Sequence, residues 1–168
     1  MFINADQALK VASEEMRRFF FQGDPMFAPW RDASLGQPVL VKDLFRNPSY
    51  WLVPVLIHER AAGFVRVLET GRVGAIGTFY RSPEQIEACP AVVTGIDAAQ
   101  ASRRAEERIQ PELGEVAADP VFVHDGPRGR EAWLIEVLKE GKAQRWIFVT
   151  RAFVYERPAG KLLDEALE

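Results

Sequence analysis

The chain has a single cysteine, Cys89, and two histidines, His58 and His124, among its 168 residues. One cysteine excludes an intrachain disulfide and is compatible with a reducing cytoplasm. It also leaves the histidines short of the ligand set that a zinc site needs, so no metal is expected. Runs of lysine or arginine are absent and the net charge is -3, which removes the electrostatic footprint of a nucleic-acid-binding protein. The longest apolar run, Trp51 to Ile57, falls far below the roughly 20 residues of a membrane helix, so no membrane span is expected. No basic segment followed by an apolar run opens the chain. The expected location is therefore cytoplasmic, although a chain whose export segment had been removed would read the same way.

What is present is globular in composition: 48% of residues are hydrophobic and 27% charged. The length fits one domain, or two of about 80 residues each. Internal repetition favours two. Pro38 to Val67 aligns without gaps on Pro120 to Val149, at an offset of 82, pairing Val41 with Val123, Asp43 with Asp125, Trp51 with Trp133 and Val55 with Val137. Ile3 to Ala8 aligns on Ile96 to Ala101 at an offset of 93, so the first copy carries eleven more residues between its helix and its first matched strand. Such repetition constrains architecture before any propensity does. The surplus falls near Phe21 to Trp30.

Each copy begins with a helix signal. Asn4 and Asp97 stand at the N-cap position, with Gln7 and Gln100 three residues on, as in a capping box. Ala5, Ala8, Leu9, Ala12 and Met16 follow at helical spacing, and Ala101, Ala105 and Ile109 repeat the stripe. Small alanines predict close packing on a sheet. Strands are expected over Pro38 to Lys42, Trp51 to Ile57, Phe64 to Glu69 and Val73 to about Tyr80. In the second copy they are expected over Pro120 to His124, Ala132 to Lys139 and one long strand from Arg145 to Tyr155. Turns are expected at Glu140-Gly141-Lys142, at the matching His58-Glu59-Arg60 and at Thr70-Gly71-Arg72. Ser82-Pro83-Glu84-Gln85 predicts a capped short helix that ends before Pro90. Ala159-Gly160 and the charged end after them are expected to fray.

The fold class expected is α+β, with two tandem helix-plus-antiparallel-sheet repeats forming a pseudo-symmetric pair. The first repeat spans 1–81 with an aromatic insertion near 20–31, a connecting segment spans 82–95, and the second repeat spans 96–168. The capped alanine-rich helix from Ile3 to Ala12, Trp51-Leu52-Val53-Pro54-Val55, Phe64-Val65-Arg66-Val67 and Thr70-Gly71-Arg72-Val73 together resemble tandem PepSY-like or cystatin-like modules. That resemblance implies helix-on-sheet units that act in inhibitory or regulatory protein binding. A nuclear-transport-factor-like cone is another helix-and-curved-sheet scaffold, but a single unit of it leaves the duplication unexplained.

Chemistry-bearing residues form no recognisable set, and no catalytic residue or cofactor is expected. Cys89, within Ala88-Cys89-Pro90, reads as a structural thiol. Gly126-Pro127-Arg128-Gly129-Arg130 lacks the order of a phosphate loop, which leaves Arg128 and Arg130 as weak anion-site candidates. Trp51 and Trp133 match across the copies and point to a shared packing task. Phe21, Met26, Phe27 and Trp30 lie in the insertion, where aromatic residues and methionine supply either a core plug or a partner or ligand surface. The leading expectation is a non-catalytic protein- or peptide-binding module, with a homodimer compatible. A carrier of a small apolar ligand, using a helix–sheet pocket, is the alternative. An enzyme drawing on dispersed groups such as His58, Glu59, Asp125 and Arg128 comes third.

Overall fold

The computed structural model describes residues 1–20 and 23–163, the side chains of 19 and 20 apart. It divides into two compact units, one of residues 1–41 and 48–93, the other of residues 42–47 and 94–168. The class is α+β, with mostly antiparallel strand pairing.

The first unit opens with helix α1 (Ala5–Phe20) and a 3-10 segment, Pro25–Asp32. Strands β1 (Ser34–Leu35), β2 (Val39–Lys42), β3 (Pro48–Ile57), β4 (Arg60–Leu68) and β5 (Val73–Thr78) follow. The expected capping box is formed: Gln7 donates its backbone N–H to Asn4 Oδ1 at 2.9 Å, and Asn4 donates its own to Gln7 Oε1 at 2.8 Å. Ala8, Ala12 and Met16, one face of α1, are buried against Val53, Val55, Val65 and Val67 of β3 and β4. Alanine at the first two positions lets the helix sit close to the valines, and a valine truncated there would cost roughly 1–3 kcal/mol. A second 3-10 segment, Pro83–Ala88, adds Ile86 to this core, and Cys89 follows it there. The stretch expected to be a connector therefore helps to fill the first unit. Ser82 makes no side-chain cap, and Gln85 instead accepts the backbone N–H of Arg81 at 3.2 Å. A 3-10 segment of six residues replaces the expected capped helix.

The second unit has helix α2 (Ala98–Glu106), a 3-10 turn at Pro111–Leu113, and strands β6 (Glu115–Ala117), β7 (Val121–His124), β8 (Glu131–Lys139), β9 (Lys142–Val149) and β10 (Val154–Pro158). Its capping box joins Asp97 and Gln100. Ala101 and Ala105 bury against Ile135, Val137, Ile147 and Val149 on one sheet face. The other face carries Val123, Ala132, Leu134, Trp146 and Phe148, with Leu44 from segment 42–47 over it. Lys42, the last residue of β2 and part of the second unit, pairs in parallel with Val123 of that unit.

Several local features recur 82 residues apart. The β3–β4 hairpin turns at His58 and Glu59, with φ of 50° and 63°, and the β8–β9 hairpin turns at Glu140 and Gly141, with φ of 53° and 74°. Positive φ at both turn residues suits the right-handed twist of the strands. Register slips between Val55 and Leu56 in β3 and between Val137 and Leu138 in β8. Leu35 of β1 pairs with Val55, and Ala117 of β6 pairs with Val137.

Two expectations for the end of the chain are corrected. The long strand from Arg145 to Tyr155 is broken into β9 and β10 by a turn in which Thr150 donates its N–H to the Phe153 carbonyl at 2.8 Å. Phe153 N–H returns a bond to Thr150 Oγ1 at 2.9 Å, so the threonine side chain stabilises the reversal. Ala159 does not fray: its N–H donates to the Gln144 carbonyl at 3.2 Å, and Lys161 N–H to Pro158 at 3.2 Å. No helix among the described residues is long and apolar enough to cross a membrane.

Candidate functional site at the edge of the first unit

β5 is joined to β4 and, among the described residues, to no strand on its other side. It reads Val-Gly-Ala-Ile-Gly-Thr, with no charge and no proline. Natural edges are usually blunted by charges, proline or bulges. Here a register slip between Arg66 and Val67 of β4 irregularises the Val73 end and leaves the stretch from Ala75 to Thr78 regular. Phe79 donates its N–H inward to the Ala62 carbonyl at 2.8 Å. By the alternation of an antiparallel ladder, the N–H and C=O groups of Ile76 and Thr78 then point outward, to the open side. The two glycines keep the strand thin. A Cβ on Gly77 would meet the Phe64 ring at 2.6 Å, and one on Gly74 would meet the Leu68 side chain at 2.8 Å.

β10, which among the described residues pairs with β9 alone, is an edge strand of the second unit and is built differently. It carries Glu156, Arg157 and Pro158. Arg108 donates to the Val154 carbonyl at 3.3 Å, and Glu156 pairs with Arg108 and Arg145 at 3.4 and 2.8 Å. Charge, proline and a bound arginine close this edge, and β5 has none of them.

Beside the Val73 end of β5 runs a groove of about 400 Å³ between α1 and the β4–β5 turn. Val11, Glu14, Glu15 and Arg18 form its helical wall, and Gly71, Arg72 and Val73 form the other. Glu15 and Arg18 neutralise one another at 3.3 Å. Glu14 and Arg72 have no ion pair among the described residues.

The second unit holds the buried charge. Asp125 is 0% exposed and Arg157 8%. Arg157 donates through Nη1 to Asp125 Oδ2 at 2.8 Å and through Nη2 to Oδ1, and Tyr155 O–H donates to Oδ2 at 2.9 Å. Arg130 Nε lies 3.8 Å from the same carboxylate. Burial raises the pKa of Asp125, but the bonds from Arg157 and Tyr155, with the charges of Arg157 and Arg130, outweigh it and hold the carboxyl below its ordinary range. The Tyr155 hydroxyl is pushed up to about 12, first by burial and then by its bond to Asp125. Arg157 also lies 4.5 Å over the Phe148 ring and donates Nε–H to the Lys161 carbonyl at 2.6 Å. A fully buried carboxylate that accepts three hydrogen bonds from its own unit acts as a structural lock.

The residues expected from sequence divide accordingly. Trp30, expected either as a core plug or as a surface, is 1% exposed and belongs to the first unit's core, with Phe27 edge-on at 4.9 Å. Met26 and Phe27 are half-buried against that core, and Tyr80 O–H donates to the Met26 carbonyl at 2.7 Å. Burial raises the Tyr80 pKa. The Trp30 indole opposes that rise by lying close, although its Nε1 has no partner at hydrogen-bonding geometry. Phe21 lies outside the described residues. Arg128 and Arg130 are both exposed, and Arg130 also lies 3.8 Å from the Asp125 carboxylate and over the Tyr155 ring at 5.5 Å. His58 contacts Glu87 at 3.2 Å on the first unit, with Glu59 beside it in the hairpin turn, while Asp125 and Arg128 belong to the second. Cys89 is buried. Among the described residues no group of three or more His, Cys, Asp or Glu side chains could hold a metal ion.

Sequence reading missed Tyr155 and Arg157 as partners of Asp125. Their signal was alternation: two residues apart on a strand, they share a face. β5 was read as a strand, but nothing local marks a strand as an edge. Comparison with protein-family models, curated proteins and solved structures finds no match to this chain.

Proposed function

We propose that the chain is a non-catalytic module that binds an extended protein or peptide segment by adding it as a strand to β5. One observation carries this reading. β5 presents the outward backbone groups of Ile76 and Thr78 on an uncharged edge, where β10 is closed by Arg108, Glu156 and Pro158. Strand addition is a recurring mode of peptide recognition, in which main-chain hydrogen bonds give affinity and side-chain pockets give selectivity. The groove along α1 is the pocket for alternate side chains at the Val73 end.

The two units are read as copies of one helix-on-sheet module resembling PepSY-like or cystatin-like domains. Capping boxes, hairpin turns and register slips at matching positions support that reading. Under it, β10 is the closed counterpart of β5, and the binding role falls to the first unit.

The test uses a labelled peptide of alternating valine and threonine. Binding is expected to slow hydrogen exchange at the Ile76 and Thr78 amides. N-methylation of the alternate peptide amides that face β5 is expected to weaken binding about tenfold or more, since each lost backbone bond is worth about 1 kcal/mol. N-methylation of the other set leaves binding intact. Equal effects from both sets, or exchange unchanged at both amides, would overturn strand addition.

A further inference from the structure

Resting on that reading of β5, we infer that the edge is occupied in the resting protein by β5 of a second copy, the two strands running antiparallel about a two-fold axis through Ile76. The outward groups are self-complementary in this arrangement. Ile76 exchanges both of its backbone bonds with Ile76 of the other copy, because outward-facing residues in an antiparallel ladder meet as hydrogen-bonded pairs. The strand is itself an uncharged segment with Val, Ile and Thr, the chemistry that its edge accepts. No charge repels along Val73–Thr78. β10, which carries Glu156, Arg157 and Pro158, cannot serve in the same way.

The ends of the strand supply the selectivity. With Ile76 on the axis and the strands antiparallel, the chain that leaves β5 toward Arg81 runs past the β4–β5 turn of the other copy, which forms one wall of the groove beside α1. That groove contains Glu14, which is exposed and has no ion pair among the described residues, while Glu15 is already neutralised by Arg18 at 3.3 Å. Arg81 is exposed and likewise has no ion pair there, Glu84 three residues on included. The two-fold therefore creates two Arg81–Glu14 contacts between copies. Arg72 lines the same groove and opposes them, so Glu14 is the group that decides the sign. Phe79, 40% exposed at the end of β5, comes to lie over the other copy's Val73 end.

Sedimentation equilibrium on the full chain, from micromolar to millimolar, tests the arrangement. The wild type is expected to dimerise, and Arg81→Glu or Glu14→Arg alone to weaken the dimer about tenfold or more by placing like charges together. The double exchange Arg81→Glu with Glu14→Arg is expected to restore it. Both positions are exposed, so the monomers stay folded, which circular dichroism checks. A monomer throughout the range overturns the inference, as does a dimer indifferent to both single exchanges or unrescued by the double one. The valine–threonine peptide, measured on the same samples, reads the proposed function separately: binding to a monomer leaves strand addition standing while the dimer falls.

Discussion

The Trp133 indole N–H donates to the carbonyl of Ile96 at 2.8 Å, tying the middle of a strand to the residue that precedes a helix N-cap. Trp51 does the same to Ile3 at 2.9 Å. In each unit a half-buried tryptophan fixes where its helix enters, so the packing role expected from the matched pair includes one directed bond. Replacing either tryptophan with phenylalanine keeps most of the apolar contact and removes that bond. The expected loss in chemical denaturation is about 1–2 kcal/mol for Trp51, and about 1 kcal/mol for Trp133, because the Ile96 carbonyl keeps the Thr94 hydroxyl as a donor at 2.8 Å. A change below a few tenths would show that water replaces the indole without penalty.

Trp30 lies over Gly63, whose added Cβ would meet Trp30 Cζ2 at 2.6 Å and the Gly77 carbonyl oxygen at 2.5 Å. Gly63→Ala is therefore expected to destabilise the chain by about 1–3 kcal/mol through overpacking. Trp30→Ala is expected to cost about 3–5 kcal/mol through the cavity it leaves. Phe27→Ser, at a half-buried site, is expected to cost less than Trp30→Ser. Thermal unfolding of the variants checks the ranking, and a neutral Trp30→Ser would place that ring outside the core.

Asp125 and Arg157 form a pair whose removal by halves is costly. Asp125→Ala leaves a buried guanidinium without its carboxylate and is expected to cost about 3–5 kcal/mol. The double variant Asp125→Ala with Arg157→Met is expected to recover part of that loss, because no unpaired charge remains. A double-mutant cycle in urea measures the recovery. Additive losses would mean that the two side chains act independently.

The same network sets the pH dependence of stability. Asp125 has its folded pKa lowered, so its contribution is present above an unfolded value of about 4 and is lost as pH falls through the folded value. Glu136, held by Trp146 and Arg46 against the upward push of burial, adds to the same acid limb. Tyr155 behaves in the opposite sense. Its folded pKa of about 12 exceeds the ordinary 10, so its contribution is complete below about 10 and is lost as pH rises through 12. Stability profiles are expected to lose part of the acid limb in Asp125→Asn and part of the alkaline limb in Tyr155→Phe. Superimposable alkaline limbs for wild type and Tyr155→Phe would contradict the assignment.

Asp43 and Asp125 show where sequence reading runs out. They align in the sequence at an offset of 82, yet Asp43 Oδ1 accepts the backbone N–H groups of Phe45 and Asn47, both at 2.9 Å, and shapes a turn. Asp125 instead anchors Arg157, 32 residues away. A local pattern contains the turn, because both partners lie within four residues. It cannot contain the ion pair, because that depends on which strand β9 brings alongside.

The sequence by itself determined the helix starts, the alternating strands, the two-residue turns and the paired tryptophans, since each depends on groups a few residues apart or on a period of the backbone. Tertiary structure alone decided that Trp30 is interior and that β5 is an open edge while β10 is closed. Burial and edge status are properties of what lies across the sheet, and chain neighbours carry no record of it. The proposed binding role rests on that second class of fact: an unpaired backbone row becomes a site only when the strand order leaves it without a neighbour.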